Sequence, residues 1–248
     1  MKKVIIISGS IYLTLLAVIL IAKFTNVYGM LTAILVFILM VTAIVFYDFF
    51  IMRSIQKVSD AIQQTNDMDS IIDKLNAILE KKLTKDQVLK TQFLLVIAYT
   101  YKQGGLNKAK SLLEEIDFSS KQKKYEIIKL DCLLAFDIIE EKEKEYFEIL
   151  EKEKDYSKES VFSDNKKIMT YYFQLLKDFY QPSLENEVNE IVNKEIEGGL
   201  NLIPRQFYEY LNLLTLKAKG FPLAGLDELK NRSRGTYLFD KLEKLESY

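Results

Sequence analysis

The sequence contains no histidine and only one cysteine among its 248 residues. The lack of His excludes Ser-His-Asp and Cys-His catalysis, zinc sites built on imidazole and His-based pH switches. With Cys132 alone, neither an intramolecular disulfide nor a CxxC site can form. We also find no nucleophile–base pair, metal-ligand cluster or cofactor loop. The sequence therefore predicts a protein that is not an enzyme and binds no metal or cofactor.

Glycine and proline are scarce as well, with nine Gly and three Pro. Such a composition argues against a turn-rich β fold and favours long helices. Basic and acidic residues nearly balance, at 34 Lys plus Arg against 35 Asp plus Glu. A balanced chain has no electrostatic footprint for nucleic acid, so we expect no nucleic-acid partner. The fold class predicted from composition is all-α.

Charge is also scarce in the first 52 residues, where Lys2, Lys3, Lys23 and Asp48 are the only Lys, Arg, Asp or Glu. Two apolar stretches, residues 4–22 and 30–52, reach roughly 28 and 34 Å as helices, against about 30 Å for a hydrocarbon core. The sequence thus predicts a transmembrane helical hairpin over residues 1–52. A cleaved signal peptide is the competing interpretation of the first stretch, but a second apolar stretch follows after only seven residues.

The hairpin's orientation follows from Lys and Arg near its ends. Lys2 and Lys3 precede the first stretch, Arg53 and Lys57 follow the second, and the link holds only Lys23. The positive-inside rule places both termini in the cytoplasm. The usage rich in Lys, Ile and Glu suggests an AT-rich bacterial genome, and hence a bacterial plasma membrane. Small residues permit close approach of helices in lipid, which predicts a packing patch at three consecutive positions: Ser8, Gly9 and Ser10.

Beyond residue 52 the apolar pattern acquires a helical period. Residues 53–68 are predicted to form an amphipathic stalk, and residues 69–248 a helical domain. The predicted helices after the first of that domain cover residues 84–103, 106–116, 121–139, 142–154, 165–180, 183–197, 204–219, 224–231 and 235–246. Successive pairs begin 37 to 44 residues apart, as in stacked two-helix repeats.

One pair, Leu94–Ala109, resembles a tetratricopeptide (TPR) repeat. Ala98 is similar to the small residue of the first helix, Tyr101 to the Tyr three positions later, and Gly105 to the turn glycine. The resemblance implies a TPR-like α-α solenoid whose first helices line a groove for a peptide or protein segment. It places three residues of this pair on the groove side: Leu95, Tyr99 and Lys102.

Aromatic residues cluster in two later helices, at Tyr171-Tyr172-Phe173 and at Phe207-Tyr208 with Tyr210. Three consecutive aromatics cannot all face one core stripe, so at least one of them contacts another element. Packing between repeats is one destination and a ligand groove is the other, since Tyr offers contact area with a polar tip. We therefore include three tyrosines in the predicted partner groove: Tyr171, Tyr172 and Tyr210.

The function predicted from these features is a membrane-anchored adaptor or scaffold that binds a protein or peptide at the cytoplasmic membrane face. Tethering raises the local concentration of the module without tight intrinsic affinity. The alternative is that the hairpin itself is functional. The chain would then be an accessory subunit of a transport or secretion complex, or an immunity-type membrane protein.

Overall fold

The computed structural model describes residues 28–116, 123–199 and 201–246. Within these ranges every regular element is an α-helix and no strand occurs. The all-α prediction is therefore confirmed for the described residues. The first predicted span, 4–22, and its packing patch of Ser8, Gly9 and Ser10 lie outside them.

The described helices, in chain order, are α1 (Tyr28–Ile62), α2 (Met68–Leu79), α3 (Lys85–Tyr101), α4 (Leu106–Glu115), α5 (Lys123–Glu140), α6 (Glu143–Glu153), α7 (Glu159–Leu176), α8 (Pro182–Glu197), α9 (Leu202–Ala218), α10 (Leu226–Arg232) and α11 (Tyr237–Glu246). Their starts follow local chemistry. At α3, for example, the Thr84 hydroxyl accepts from the Gln87 backbone N–H while the Gln87 side chain accepts from the Thr84 N–H. This capping box satisfies two otherwise unpaired donors.

In the described part of the chain, α1 contains the one segment long and apolar enough to cross a membrane, Ile34–Ile62. Its apolar side chains are mostly exposed, among them Phe37, Ile44 and Phe50. A helix from the core of a soluble protein would bury such residues. The chain divides into two units between Ser54 and Ile55, a boundary that falls within α1.

Residues 55–248 form the larger unit, in which consecutive helices pack in pairs: α3 with α4, α5 with α6, α7 with α8, and α10 with α11. Further contacts link these groups, α3 against α5 and α7 against α9, and α9 also contacts α10 and α11. We call α3, α5, α7 and α9 the first helices. Their buried side chains form two clusters, one on α3 to α5 and one extending from α5 to α11.

Three of the first helices, α5, α7 and α9, each end in a turn of the same type. At the end of α7 the Phe179 N–H donates to the Gln174 carbonyl and the Asp178 N–H to Leu175, which is a Schellman motif. The ends of α5 and α9 have the same two hydrogen bonds. The residue at the left-handed position is Glu141 (φ 61°), Asp178 (φ 54°) or Gly220 (φ 71°), respectively.

An ion pair also recurs between neighbouring helix pairs. Lys177 at the end of α7 pairs with Glu143 at the start of α6, and Lys219 after α9 pairs with Glu185 near the start of α8. Both pairs separate Lys from Glu by 34 positions. The chain therefore repeats one arrangement in which the end of a first helix is joined to the start of the preceding second helix.

One helix departs clearly from its predicted bounds. The sequence pattern predicts a helix over 165–180, whereas α7 covers Glu159–Leu176. Phe162 is buried and so extends the apolar face one turn earlier. The positive φ of Asp178 ends the helix, because an L-residue in that conformation cannot continue it.

Candidate functional site

The C-terminal segment, residues 233–246, lies across the carboxyl ends of the first helices. Its helix α11 is amphipathic and buries three leucines almost completely: Leu238, Leu242 and Leu245. These leucines belong to the same cluster as side chains of α7 and α9. The segment is therefore an integral contact of the larger unit and not a free tail.

Backbone and side-chain contacts join this segment to the end of α3. The Gln103 N–H donates to the Gly235 carbonyl over 2.9 Å, and Lys102 forms an isolated antiparallel bridge with Thr236. The Gln103 side chain donates to Asp240 over 2.5 Å. Two short stretches of extended backbone thus pair at the point where the first and last helix pairs meet.

Aromatic rings extend this junction. The rings of Tyr101 on α3 and Tyr237 on α11 stack with 6.2 Å between their centroids. Burial raises the pKa of both hydroxyls, so neither ionises near neutral pH. What they contribute at this site is aromatic contact area.

A buried charge lies beside the rings. The Lys241 ammonium on α11 donates to the Glu141 carboxylate over 2.6 Å. The Lys241 side chain is only 6% exposed, whereas that of Glu141 is 40% exposed. Burial lowers the pKa of Lys241, and its hydrogen bond to Glu141 partly offsets this effect. The pair thus fixes α11 against the turn between α5 and α6.

Three clefts adjoin α11. The most apolar, about 160 Å³, lies between α3, α5, α9 and α11. Its wall is mainly aromatic and aliphatic, with Tyr101, Ile138, Ile139, Phe207, Tyr208 and Tyr237. A second, about 170 Å³, includes Glu141, Leu175, Tyr210 and Lys241, and a third, about 190 Å³, includes Lys102, Asp240 and Lys244.

The predicted groove residues lie on these same helices, but most of their side chains are buried in the core. Four are buried in the described structure: Leu95, Tyr171, Tyr172 and Tyr210. The Tyr171 hydroxyl bonds that of Thr215 at 2.9 Å, and the Tyr172 hydroxyl donates to the Ile138 carbonyl at 3.4 Å. Of the four, Tyr210 lines a cleft beside α11.

The other two predicted groove residues are partly exposed. Tyr99 packs on the cluster of α3, α4 and α5, and Lys102 pairs with Asp69 on α2 while lining the third cleft. Binding by any of the six residues stays a prediction. The contacts that sequence reasoning missed are Tyr237, Lys241 and Glu141. The spacing of the leucines in the last helix is that of a buried face, but nothing in the sequence indicates which helices this face packs against.

The chain after α1 is hydrogen-bonded to two later helices. The Leu202 N–H donates to the Gln63 carbonyl over 3.0 Å, and the Asn201 amide donates to the Gln63 side chain over 2.5 Å. The Asn66 amide donates to the Arg232 carbonyl. The end of α1, the start of α9 and the end of α10 therefore meet at one place.

The environment of the lone thiol makes it unreactive. Cys132 is buried beside Phe136 and Tyr125, and burial raises its pKa to about 12, which keeps the thiol protonated and unreactive. Among the described residues no three Cys, Asp or Glu side chains are grouped so as to hold a metal ion. The chemistry that the described site offers is recognition of apolar and aromatic groups.

Comparisons with protein families, with curated proteins and with solved structures find no match to this chain.

Proposed function

We propose that this chain is a membrane-anchored adaptor whose TPR-like helical domain binds a protein or peptide on the cytoplasmic face of a plasma membrane. In this proposal residues 4–22 and 30–52 are the two spans of a hairpin, and both termini are cytoplasmic. The exposed apolar face of α1 supports the second span, and the placement of Lys and Arg supports the orientation.

The repeated construction of the larger unit supports the solenoid part of the proposal. The Schellman turns at Glu141, Asp178 and Gly220 end successive first helices, and the Lys177–Glu143 and Lys219–Glu185 pairs join successive helix pairs. In repeat proteins each unit buries its apolar face only against its neighbours, so such equivalent contacts recur along the array.

The apolar cleft between α3, α5, α9 and α11 is the observation that carries the binding function. Binding sites are concave, mostly apolar and supplied with a few placed polar groups. This cleft has that character, since its lining combines apolar side chains such as Ile138, Ile139 and Phe207 with the tyrosines Tyr101, Tyr208 and Tyr237. Three of the first helices, α3, α5 and α9, contribute to its lining, as expected for a groove built by a repeat array.

Crosslinking in intact cells, followed by purification of the full-length chain in mild detergent, tests this function. Residues 53–248 are purified in parallel. If both forms capture the same stoichiometric partner, recognition belongs to the helical domain and the hairpin is an anchor. If only the full-length form captures it, recognition lies in or at the membrane and the hairpin is the functional part.

Matched substitutions locate the binding site. Ile139→Glu places a charge in the cleft and is expected to abolish capture, whereas Val161→Glu changes an exposed apolar residue on α7 and leaves capture intact. Equal capture by the two folded variants would remove the cleft from the proposal.

A further inference from the structure

The helix α11 is a short element that follows a glycine. Gly235 precedes it with φ at 80°, a left-handed conformation in which glycine is unstrained. The helix has ten residues, too few for an isolated helix to be stable in water. Its folded form therefore depends on the surface beneath it.

That surface is incompletely filled by α11. The clefts of about 160, 170 and 190 Å³ all have residues of α11 in their walls. The ends of the first helices thus offer more contact area than α11 covers.

The polar contact beneath α11 also favours exchange. Lys241 is buried, and removing an ammonium from water is unfavourable even when a carboxylate is its partner. Glu141 is fixed in the receiving surface by its turn, independently of α11. A second basic side chain reaching Glu141 would make the same hydrogen bond.

We propose that α11 is an intramolecular ligand that occupies the docking site for a partner's amphipathic helix. The partner helix carries one basic side chain within an apolar stripe, as α11 does with Lys241 among Leu238, Leu242 and Leu245. The basic side chain pairs with Glu141, and larger apolar groups fill the adjoining clefts. Displacement exchanges one set of apolar contacts for an equivalent set, as in other helix-in-groove complexes. This inference rests on the proposed binding function and specifies the ligand and the competing segment.

A fluorescent peptide of residues 233–248, added to the full-length chain in detergent, tests the exchange. The wild-type chain is expected to bind the peptide weakly, because its own α11 competes at high effective concentration. Lys241→Glu in the chain places two carboxylates together and releases α11, so peptide affinity is expected to rise roughly tenfold or more.

The matched control restores the pair in reverse. A chain carrying both Lys241→Glu and Glu141→Lys recloses α11 and is expected to bind the wild-type peptide as weakly as the wild-type chain or more weakly. A Lys241→Glu chain that keeps its helical circular dichroism but gains no peptide affinity overturns the proposal. Equal affinity gains in the single and double variants do the same, because they show that Glu141 does not select the ligand.

Hydrogen exchange of the unmodified chain provides a readout that needs no variant. Amides of Leu238–Leu245 are expected to exchange roughly 100-fold faster than buried amides of α9, because α11 opens while the rest of the unit stays folded. Equal protection of α11 and α9 overturns the inference, since α11 would then open only on global unfolding. Partner capture through the cleft with α11 fully protected would leave the adaptor proposal standing without this inference.

Discussion

Lys241 on the last helix and Glu141 in the turn between α5 and α6 form a hydrogen-bonded ion pair, 2.6 Å long, between segments 100 residues apart. Glu141 has φ at 61° because it occupies the left-handed position of the Schellman turn that ends α5. The repeated turn of the first helices therefore also provides the receptor for the C-terminal helix. Glu141 therefore both ends helix α5 and binds a side chain 100 residues away in the sequence.

Removal of the Glu141 charge is expected to destabilise the larger unit. Glu141→Gln leaves a buried ammonium without a carboxylate, so the free energy of unfolding should fall by about 1–2 kcal/mol, less than for a fully buried pair because Glu141 is partly exposed. Adding Lys241→Met should recover most of this loss, since no charge then remains buried. Urea unfolding of the full-length chain in detergent, followed by circular dichroism, measures both effects. Additive losses in the double variant would contradict the pairing.

Substitutions at the left-handed residues Asp178 and Gly220, which occupy equivalent turns, are expected to change stability in opposite directions. Asp178→Gly removes the strain of a side chain at φ 54° and should stabilise the protein by about 0.5–1 kcal/mol. Gly220→Asp introduces that strain at φ 71° and should destabilise it by a similar amount. The Lys217–Asp178 pair, 3.8 Å long and exposed on the Asp side, contributes little to the difference. Paired thermal melts compare the variants, and a shift of the same sign in both would refute the equivalence of the turns.

A pH-dependent contribution is expected from Asp137 on α5. Its side chain is buried and its Oδ2 atom has no hydrogen-bond partner among the described residues. Burial raises its pKa from 3.8 to about 6, while Lys142 acts in the opposite direction. Because the folded-state pKa is the higher one, the folded chain binds more protons. The stabilising contribution is present below 3.8 and is lost as the pH rises through about 6.

Asp137→Asn keeps the shape of the side chain and removes that dependence. At about pH 7 the variant should be more stable than the wild type by about 1–2 kcal/mol, and near pH 4 the difference should vanish. Asp73→Asn, on the exposed face of α2, is the control and should change stability by less than about 0.5 kcal/mol at either pH. Unfolding curves at the two pH values test this, and a constant Asp137→Asn effect would exclude titration as its cause.

The apolar pattern was sufficient for the helical class and for the approximate positions of most described helices. It was insufficient for the ends of α7. There the start depends on burial of Phe162 and the end on the turn at Asp178, and neither can be derived from a local apolar period.

The aromatic triplet shows where the sequence stops being informative about the site. Three consecutive side chains cannot all face one apolar stripe, and in the structure each of them contacts a different helix. Tyr171 contacts Thr215 on α9, Tyr172 the Ile138 carbonyl on α5, and Phe173 the rings of Tyr146 and Phe147 on α6. Which neighbour receives each ring depends on long-range packing. The same is true of Lys241, whose partner lies 100 residues away.

Membrane topology provides a test of the anchor. A reporter active only in the cytoplasm should be active when fused after Tyr248, and a reporter active only outside should be active when inserted within residues 23–29. The physical reason is the excess of Lys and Arg at Lys2, Lys3, Arg53 and Lys57 over Lys23 alone.

The charge variants make that test quantitative. Lys2→Gln with Lys3→Gln reduces the excess and should yield a mixed orientation, with part of the chains placing Tyr248 outside. Lys81→Gln with Lys82→Gln removes as many charges far from both apolar stretches and should leave the orientation unchanged. A silent outside reporter at residues 23–29, combined with an active cytoplasmic reporter after Tyr248, would place both ends of residues 30–52 on one side and show that this stretch does not cross the membrane. The apolar face of α1 would then require a different partner from lipid.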